Sequence, residues 1–263
     1  MKVSRSWFYT FQKRVNQKDC VSIPSVEEYA AIEIFNRSKG SYGSRRVSAQ
    51  LKRDGYKVGR HKANSIMKRC NLKVKSKRRF KVTTNSNHNK TVSPNLVKRD
   101  FTASGPNQLW LGDITYVWTK AGWLYLAVVL DIYARRVVGW AMSNRMTDDL
   151  VTSAFLMAAF RREPDEGCIF HSDRGSQYAS RKFRKQLLRF GFEQSMSRKG
   201  NCWDNAPMER FFSSIKRERL SHCYFYNRDQ ARREIIDYIT FYNYERLHST
   251  LDYAPPMEVE LAA

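Results

Sequence analysis

The spacing of apolar positions changes about two-fifths of the way along this chain. In Val26–Ser38 (VEEYAAIEIFNRS), Ile32, Ile34 and Phe35 recur near helical spacing. After a turn at Lys39–Gly43, a second helix is predicted over Ser44–Arg53, where Val47 and Leu51 lie four apart. Asp54-Gly55 is a turn signal. A third helix, His61–Cys70, puts Ala63, Ile66 and Met67 on one face and His61, Lys62, Asn64, Ser65, Lys68 and Arg69 on the other. Two short helices joined by a tight turn, the second with a polar and basic outer face, predict a helix-turn-helix unit. Ahead of it, Trp7, Phe8 and Phe11 suggest one side of a further helix. Residues 73–104 are basic, then polar, with few core formers, and read as a linker.

From Gly105 the pattern becomes aromatic and β-branched. Gln108–Trp118, Trp123–Leu130 and Arg136–Met142, separated by short turns, predict three consecutive antiparallel strands. Thr147 is the expected cap of a helix with Asp148 and Asp149 in its first turn and Arg161-Arg162 at its end, the charge order a helix dipole favours. A short strand at Cys168–Ser172, a basic amphipathic helix at Ser180–Phe190 and a strand at Phe192–Met196 follow. Asp204 or Asn205 is placed to cap the next helix, with Pro207 in its first turn. In Arg228–Tyr244, Ile235, Ile236, Ile239 and Tyr242 recur at helical spacing. The expected fold is α/β: a mixed sheet flanked by helices, preceded by a small all-α unit. The expected divisions are 1–76 for the helical unit, 77–104 for the linker, 105–222 for the core and 223–263 for a helical tail.

Composition narrows the class. With 42% hydrophobic and 13% aromatic residues in 263, the chain can build a sizeable core. No run approaches the roughly 18 apolar residues of a membrane span, and the N-terminus lacks a secretory pattern. Cysteines at 20, 70, 168, 202 and 223 form no metal-binding spacing and read as reduced thiols of a cytoplasmic protein. The net charge is +22. Residues 1–104 carry 25 basic and 6 acidic side chains, a net +19, while the remainder carries only +3. That split predicts a DNA-binding arm ahead of a near-neutral core, with solubility or RNA binding as the competing readings. Arg45, Arg46, Lys62, Asn64, Lys68 and Arg69 are the expected contacts on the helical unit.

Three carboxylates in the core stand where chemistry is expected. Asp113 is mid-strand in an otherwise apolar segment, Asp173 directly follows the short strand, and Glu209 lies in the first turns of a helix. An acid inside a strand is costly unless compensated, and a divalent cation is a common compensation. Paired metal ions held by carboxylates serve phosphoryl transfer. Any one of these acids alone is more simply a turn or surface residue; three together reverse that preference.

Sixty positions separate Asp113 from Asp173, and 35 residues lie between Asp173 and Glu209. The segments WLGDITYVWTKAGWLYLAVVLDIYARRVVGW, HSDRGSQY, SRKGNCWDNAPMERFFSSIKRE and YITFYNYERLHSTLDYAPP, with SYGSRR upstream, carry a resemblance. The chain resembles the retroviral-integrase superfamily of Asp-Asp-Glu transposases. Within it, the match is to the second reading-frame product (OrfB) of the bacterial IS-three family, over about residues 27–259. Gly112 stands where that family commonly has Thr, and Arg210 where it often has Ser.

The resemblance implies a ribonuclease H-like five-stranded core in which Asp113, Asp173 and Glu209 bind two Mg²⁺ (or Mn²⁺) and cut and join DNA at the ends of an insertion sequence. It implies double-stranded DNA as partner, a homo-oligomer on DNA, and the upstream product OrfA as fusion or partner, in a nucleoid-associated, membrane-free setting. It makes Lys216, seven residues after Glu209 and on the same helical face, a phosphate contact. Lys199, in the polar loop Ser197–Asn205, and Arg246 are further expected DNA contacts. His171 is expected to be satisfied by a neighbour and Trp203 to pack against the core. Asp131 and Asp204 are expected to tolerate replacement by Asn. A DNA-binding repressor and a nuclease that cuts without joining are the other functional classes.

Overall fold

The computed structural model describes residues 24–75, 92–198 and 202–263, together with Ser6. Trp7, Phe8, Phe11 and Lys199 lie outside the described residues. The chain divides into two compact units, one ending at Lys73 without Ser38–Ser41, the other formed by Ser38–Ser41 and Val74–Ala263.

The first unit holds α1 (Val26–Arg37), α2 (Ser44–Arg53) and α3 (Arg60–Arg69). Ser25 and Glu28 form a capping box: the Glu28 N–H donates to Ser25 Oγ, and the Ser25 N–H donates to Glu28 Oε2 at 2.8 Å. Ala31, Ile34, Phe35, Val47, Leu51, Val58, Ala63, Ile66 and Met67 form the core. The outer face of α3 carries the polar residues expected there, all exposed.

The second unit is a five-stranded sheet in the order β3-β2-β1-β4-β5. Strands β1 (Leu109–Thr119), β2 (Gly122–Asp131) and β3 (Arg136–Ser143) form an antiparallel meander; β4 (Ile169–Ser172) and β5 (Glu193–Met196) add parallel to β1. The helices are α4 (Asp148–Arg162), α5 (Arg181–Arg189), α6 (Ala206–Glu218), α7 (Arg228–Tyr244) and α8 (Pro256–Leu261).

On one face, α4 lies against β2 and β3, and α5 packs beside it. Gly139 permits this approach: a Cβ there would stand 2.3 Å from the Ala154 carbonyl oxygen. Phe155 of α4 is the hub of that core, meeting Trp110, Phe170, Phe183, Phe190 and Phe192 with ring centroids 5.0–6.5 Å apart. Alternation in β2 sends Ala127 and Val129 into this cluster and Leu126, Val128 and Leu130 to the opposite face, covered by α6 and α7. Asn243 of α7 docks on β3 by exchanging two 2.9 Å hydrogen bonds with the Val137 backbone.

Three expectations are corrected. Thr147 and Asn205 occupy N-cap positions, but neither side chain accepts the capping hydrogen bond; Ser180 does so for α5, from the Phe183 N–H. Asp204 is not a cap either, because its carboxylate is engaged elsewhere, as described below. The polar stretch read as a linker is fastened to the sheet from residue 92 onward. Ser93 donates to Gln194, the Leu96 N–H donates to Ser195 Oγ, and the Met196 N–H donates to the Pro94 carbonyl. Among the described residues, no helix is long and apolar enough to cross a membrane.

Candidate active site

The parallel pairing of β1 with β4 sets Gly112 opposite Ser172. The next residues, Asp113 and Asp173, are therefore neighbours at the point where β4 ends and β1 runs on. Gly112 also lets the Phe170 ring close in: a Cβ would stand 2.5 Å from Phe170 Cζ.

Both aspartates are half-buried. Burial, then the charge of Asp173 and that of Glu209, hold the Asp113 carboxyl well above the usual carboxylate range. The Ile114 N–H, donating to Asp113 Oδ1 at 2.7 Å, and the Lys216 ammonium pull the other way. Asp173 Oδ1 accepts from the Gly175 N–H at 2.9 Å. Glu209 sits in the first turn of α6, exposed, with its carboxyl pushed up by partial desolvation. Among the described residues, no three His, Cys, Asp or Glu side chains converge closely enough to hold an ion. The arrangement is a close Asp113–Asp173 pair with Glu209 in electrostatic reach, not a closed cage. Two adjacent carboxylates, one of which raises the other's proton affinity, suit a shared hard cation, so the donor set fits.

Lys216 is not an ordinary exposed lysine. It is half-buried, its Nζ lies 5.2 Å from the centroid of the Tyr116 ring, and burial lowers its pKa while Asp113 raises it. Glu209 and Lys216 share the face of one continuous helix, about 10 Å apart along its axis.

Sequence reasoning missed two residues here. Tyr178, 2% exposed, has a phenol that burial and the charges of Asp113 and Asp173 keep protonated. Its place in HSDRGSQY was the only available signal. Asp204, fully buried, accepts from Arg198 (backbone N–H and guanidinium, each at 3.0 Å), Arg99 at 2.9 Å and Asn95 at 3.0 Å. These bonds anchor the residues immediately before the helix that presents Glu209. His171 is satisfied as expected, between Ser195 Oγ and the Asp204 carbonyl, both at 2.8 Å.

Other expectations fail on burial. Asp131 is also fully buried, accepting from the Asn107 and Tyr133 N–H groups and facing Arg162, so neither Asp131 nor Asp204 is a tolerant control. Arg246 is 3% exposed and makes a bidentate pair with Glu218 at 2.7 and 2.8 Å, which removes it from any DNA surface. Trp203 does not pack against the core; it is 66% exposed. On the helical unit, Arg45, Asn64 and Lys68 are exposed, and Arg46 lies over the Tyr42 ring at 5.4 Å. Lys62 and Arg69 are exposed but paired with Glu27 and Glu28.

Comparison with known proteins follows the same division. The integrase core domain family matches residues 103–202 and again 190–256, and the HTH-like domain family matches residues 26–80. The chain is 47% identical to the insertion element IS600 uncharacterized 31 kDa protein of Shigella sonnei, over 97% of this chain and 93% of that one. It is 42% identical to the transposase for insertion sequence element IS904 of Lactococcus lactis (86% and 90%). It is 40% identical to transposase InsF for insertion sequence IS3A of Escherichia coli (99% and 91%). In fold it resembles the simian T-cell lymphotropic virus intasome structure, with a TM-score of 0.51 at 18% identity over 81% of this chain and 70% of that one. With an integrase core behind a helix-turn-helix-like unit, and relatives this similar along nearly its whole length, the chain belongs to the insertion-sequence transposase family.

Proposed function

We propose that this transposase cuts DNA at the ends of its insertion sequence and joins the freed ends to a second site, using Asp113, Asp173 and Glu209 with two divalent cations, Mg²⁺ or Mn²⁺. The observation that carries the reading is the forced adjacency of Asp113 and Asp173 on parallel strands, with Glu209 and Lys216 presented by one helix beside them. Bound there, divalent cations would supply activation of an attacking oxygen and stabilisation of a leaving one.

The chain's own groups do the rest. Asp113 and Asp173 would hold the cation, and burial with the charge of Asp173 shifts Asp113 towards its protonated form where no cation compensates them. Lys216, kept between Asp113 and Tyr116, offers a fixed positive charge to a DNA phosphate. Tyr178 keeps a protonated phenol against the aspartates on the core side. Double-stranded DNA, read by α3 and its neighbours at terminal repeats, is the partner. A homo-oligomer assembled on that DNA, and an upstream reading-frame product as fusion or partner, complete the proposed assembly.

Oligonucleotides carrying the element's ends, incubated with Mg²⁺ or Mn²⁺, test this directly. Asp113→Asn, Asp173→Asn and Glu209→Gln should each abolish cutting and joining while leaving gel-shift affinity intact, because amides keep the volume but are poor ligands for hard cations. Full activity in any one of them removes that residue from the site. Cutting without any joining by the unaltered protein would favour a nuclease instead.

A further inference from the structure

Beyond Asp113, β1 continues to the tip of its hairpin with β2, and an aromatic row runs along it. Trp118 and Trp123 are direct cross-strand partners, as are Tyr116 and Tyr125. The Tyr116 ring meets Trp123 edge-on, with centroids 4.9 Å apart, and Trp123 meets Trp118 at 4.7 Å. Trp118 is 59% exposed and Trp123 42%. At the inner end stands Lys216, 5.2 Å from the Tyr116 ring and within the field of Asp113. At the outer end, the turn is tied down: the Lys120 N–H donates to the Phe225 carbonyl, and the Lys120 ammonium lies 5.3 and 4.9 Å from the rings of Tyr224 and Tyr226. Arg228 donates to the Trp123 carbonyl at 3.1 Å.

Two neighbouring indoles left in water contribute little to a core and mark a recognition surface. The cations around them, Lys216, Lys120 and Arg228, match a polyanion better than an apolar protein face. Aromatic rings offer π-faces to any nucleobase, but bases inside a duplex already stack on one another and present only their edges in the grooves.

We infer that Tyr116, Trp123 and Trp118 form a stacking surface for unpaired nucleobases of a DNA strand passing the Asp113–Asp173 pair. The inference rests on the proposed cutting of DNA at that pair and adds that the bound DNA is unpaired beside it.

The full chain would be titrated with a blunt duplex and with the same duplex bearing a single-stranded extension of about five nucleotides, within the site size of such surfaces. The extended probe should bind about tenfold more tightly and quench indole emission more strongly. The Trp118→Ala/Trp123→Ala double variant should lose most of that preference with little change in blunt-duplex affinity, and the Trp118→Phe/Trp123→Phe variant should keep most of it. Equal binding of the two probes by the unaltered protein, or an undiminished preference in the alanine variant, would overturn the inference. So would sedimentation showing a DNA-free dimer that the alanine variant loses, since the rings would then belong to a second copy. The wild-type quenching comparison stands even if the alanine variant fails to fold. Metal-dependent cutting of the blunt duplex by the unaltered protein reports separately on the proposed function: cutting without the preference sinks only the stacking surface, and the preference without cutting sinks only the function.

Discussion

Buried charges separate residues that resemble one another in sequence. Asp113 and Asp204 are both acids in segments that carry aromatic residues, yet one is raised by burial and like charge and the other is held low by Arg198 and Arg99. Asp204 therefore contributes stability that is present above the ordinary carboxylate pKa, about 3.9, and is lost as pH falls towards its lowered folded value. Asp204→Asn should lower stability by about 1–3 kcal/mol at pH 7, because Arg198 and Arg99 are half-exposed and recover hydration. Thermal melts at pH 7 and pH 3 check this; a deficit just as large at pH 3 would remove the ion pairs as its cause. Arg246→Met leaves the Glu218 carboxylate buried without its cation, a change of about 3–5 kcal/mol. DNA affinity per folded molecule should not change. An unaltered melt with weakened DNA binding would return Arg246 to the DNA surface.

Helix α3 is the element on which sequence and structure agree most closely, since its buried and exposed positions follow the helical period without exception. Lys68→Ala should weaken duplex binding and reduce the salt slope by about one, while Asn64→Ala should weaken it without changing the slope. Lys62 and Arg69 are surface pairs with Glu27 and Glu28, worth little in water and free to exchange for phosphates. The segment after residue 92 belongs energetically with the sheet, through Ser93, Asn95 and Leu96. A fragment intended to isolate the catalytic unit must therefore begin by residue 92; one beginning at 105 loses Asn95 and Arg99 from Asp204 and should melt lower.

Across the whole molecule, the uneven charge predicts divided labour. A 92–263 fragment should bind duplex far more weakly than the full chain, with a shallower salt dependence, because most of the excess positive charge is upstream. Equal affinity at equal salt would refute that division. Adding millimolar Mg²⁺ or Mn²⁺ should raise the melting temperature of the unaltered protein by mass action on the folded state and should not do so for Asp113→Asn. A melt indifferent to both ions would count against a metal site at the aspartates.

The sequence by itself determined the order of strands and helices from Val26 to Tyr244, though not the short last helix α8, because periods of 2 and 3.6 follow directly from backbone geometry. Uneven charge predicted a division at residues 104/105, whereas the compact units divide at Lys73/Val74, and spacing within long motifs singled out the three acids proposed as the site. Only the tertiary structure decided which charges are structural. Arg246 and Lys216 look alike along the chain, but one closes a buried pair with Glu218 and the other faces Asp113 and an aromatic ring. The same holds for Asp131 and Asp204, whose roles depend in part on partners 24 to 109 residues away. Burial and long-range pairing are properties of the packed sheet, set by which elements meet, and no local pattern encodes them.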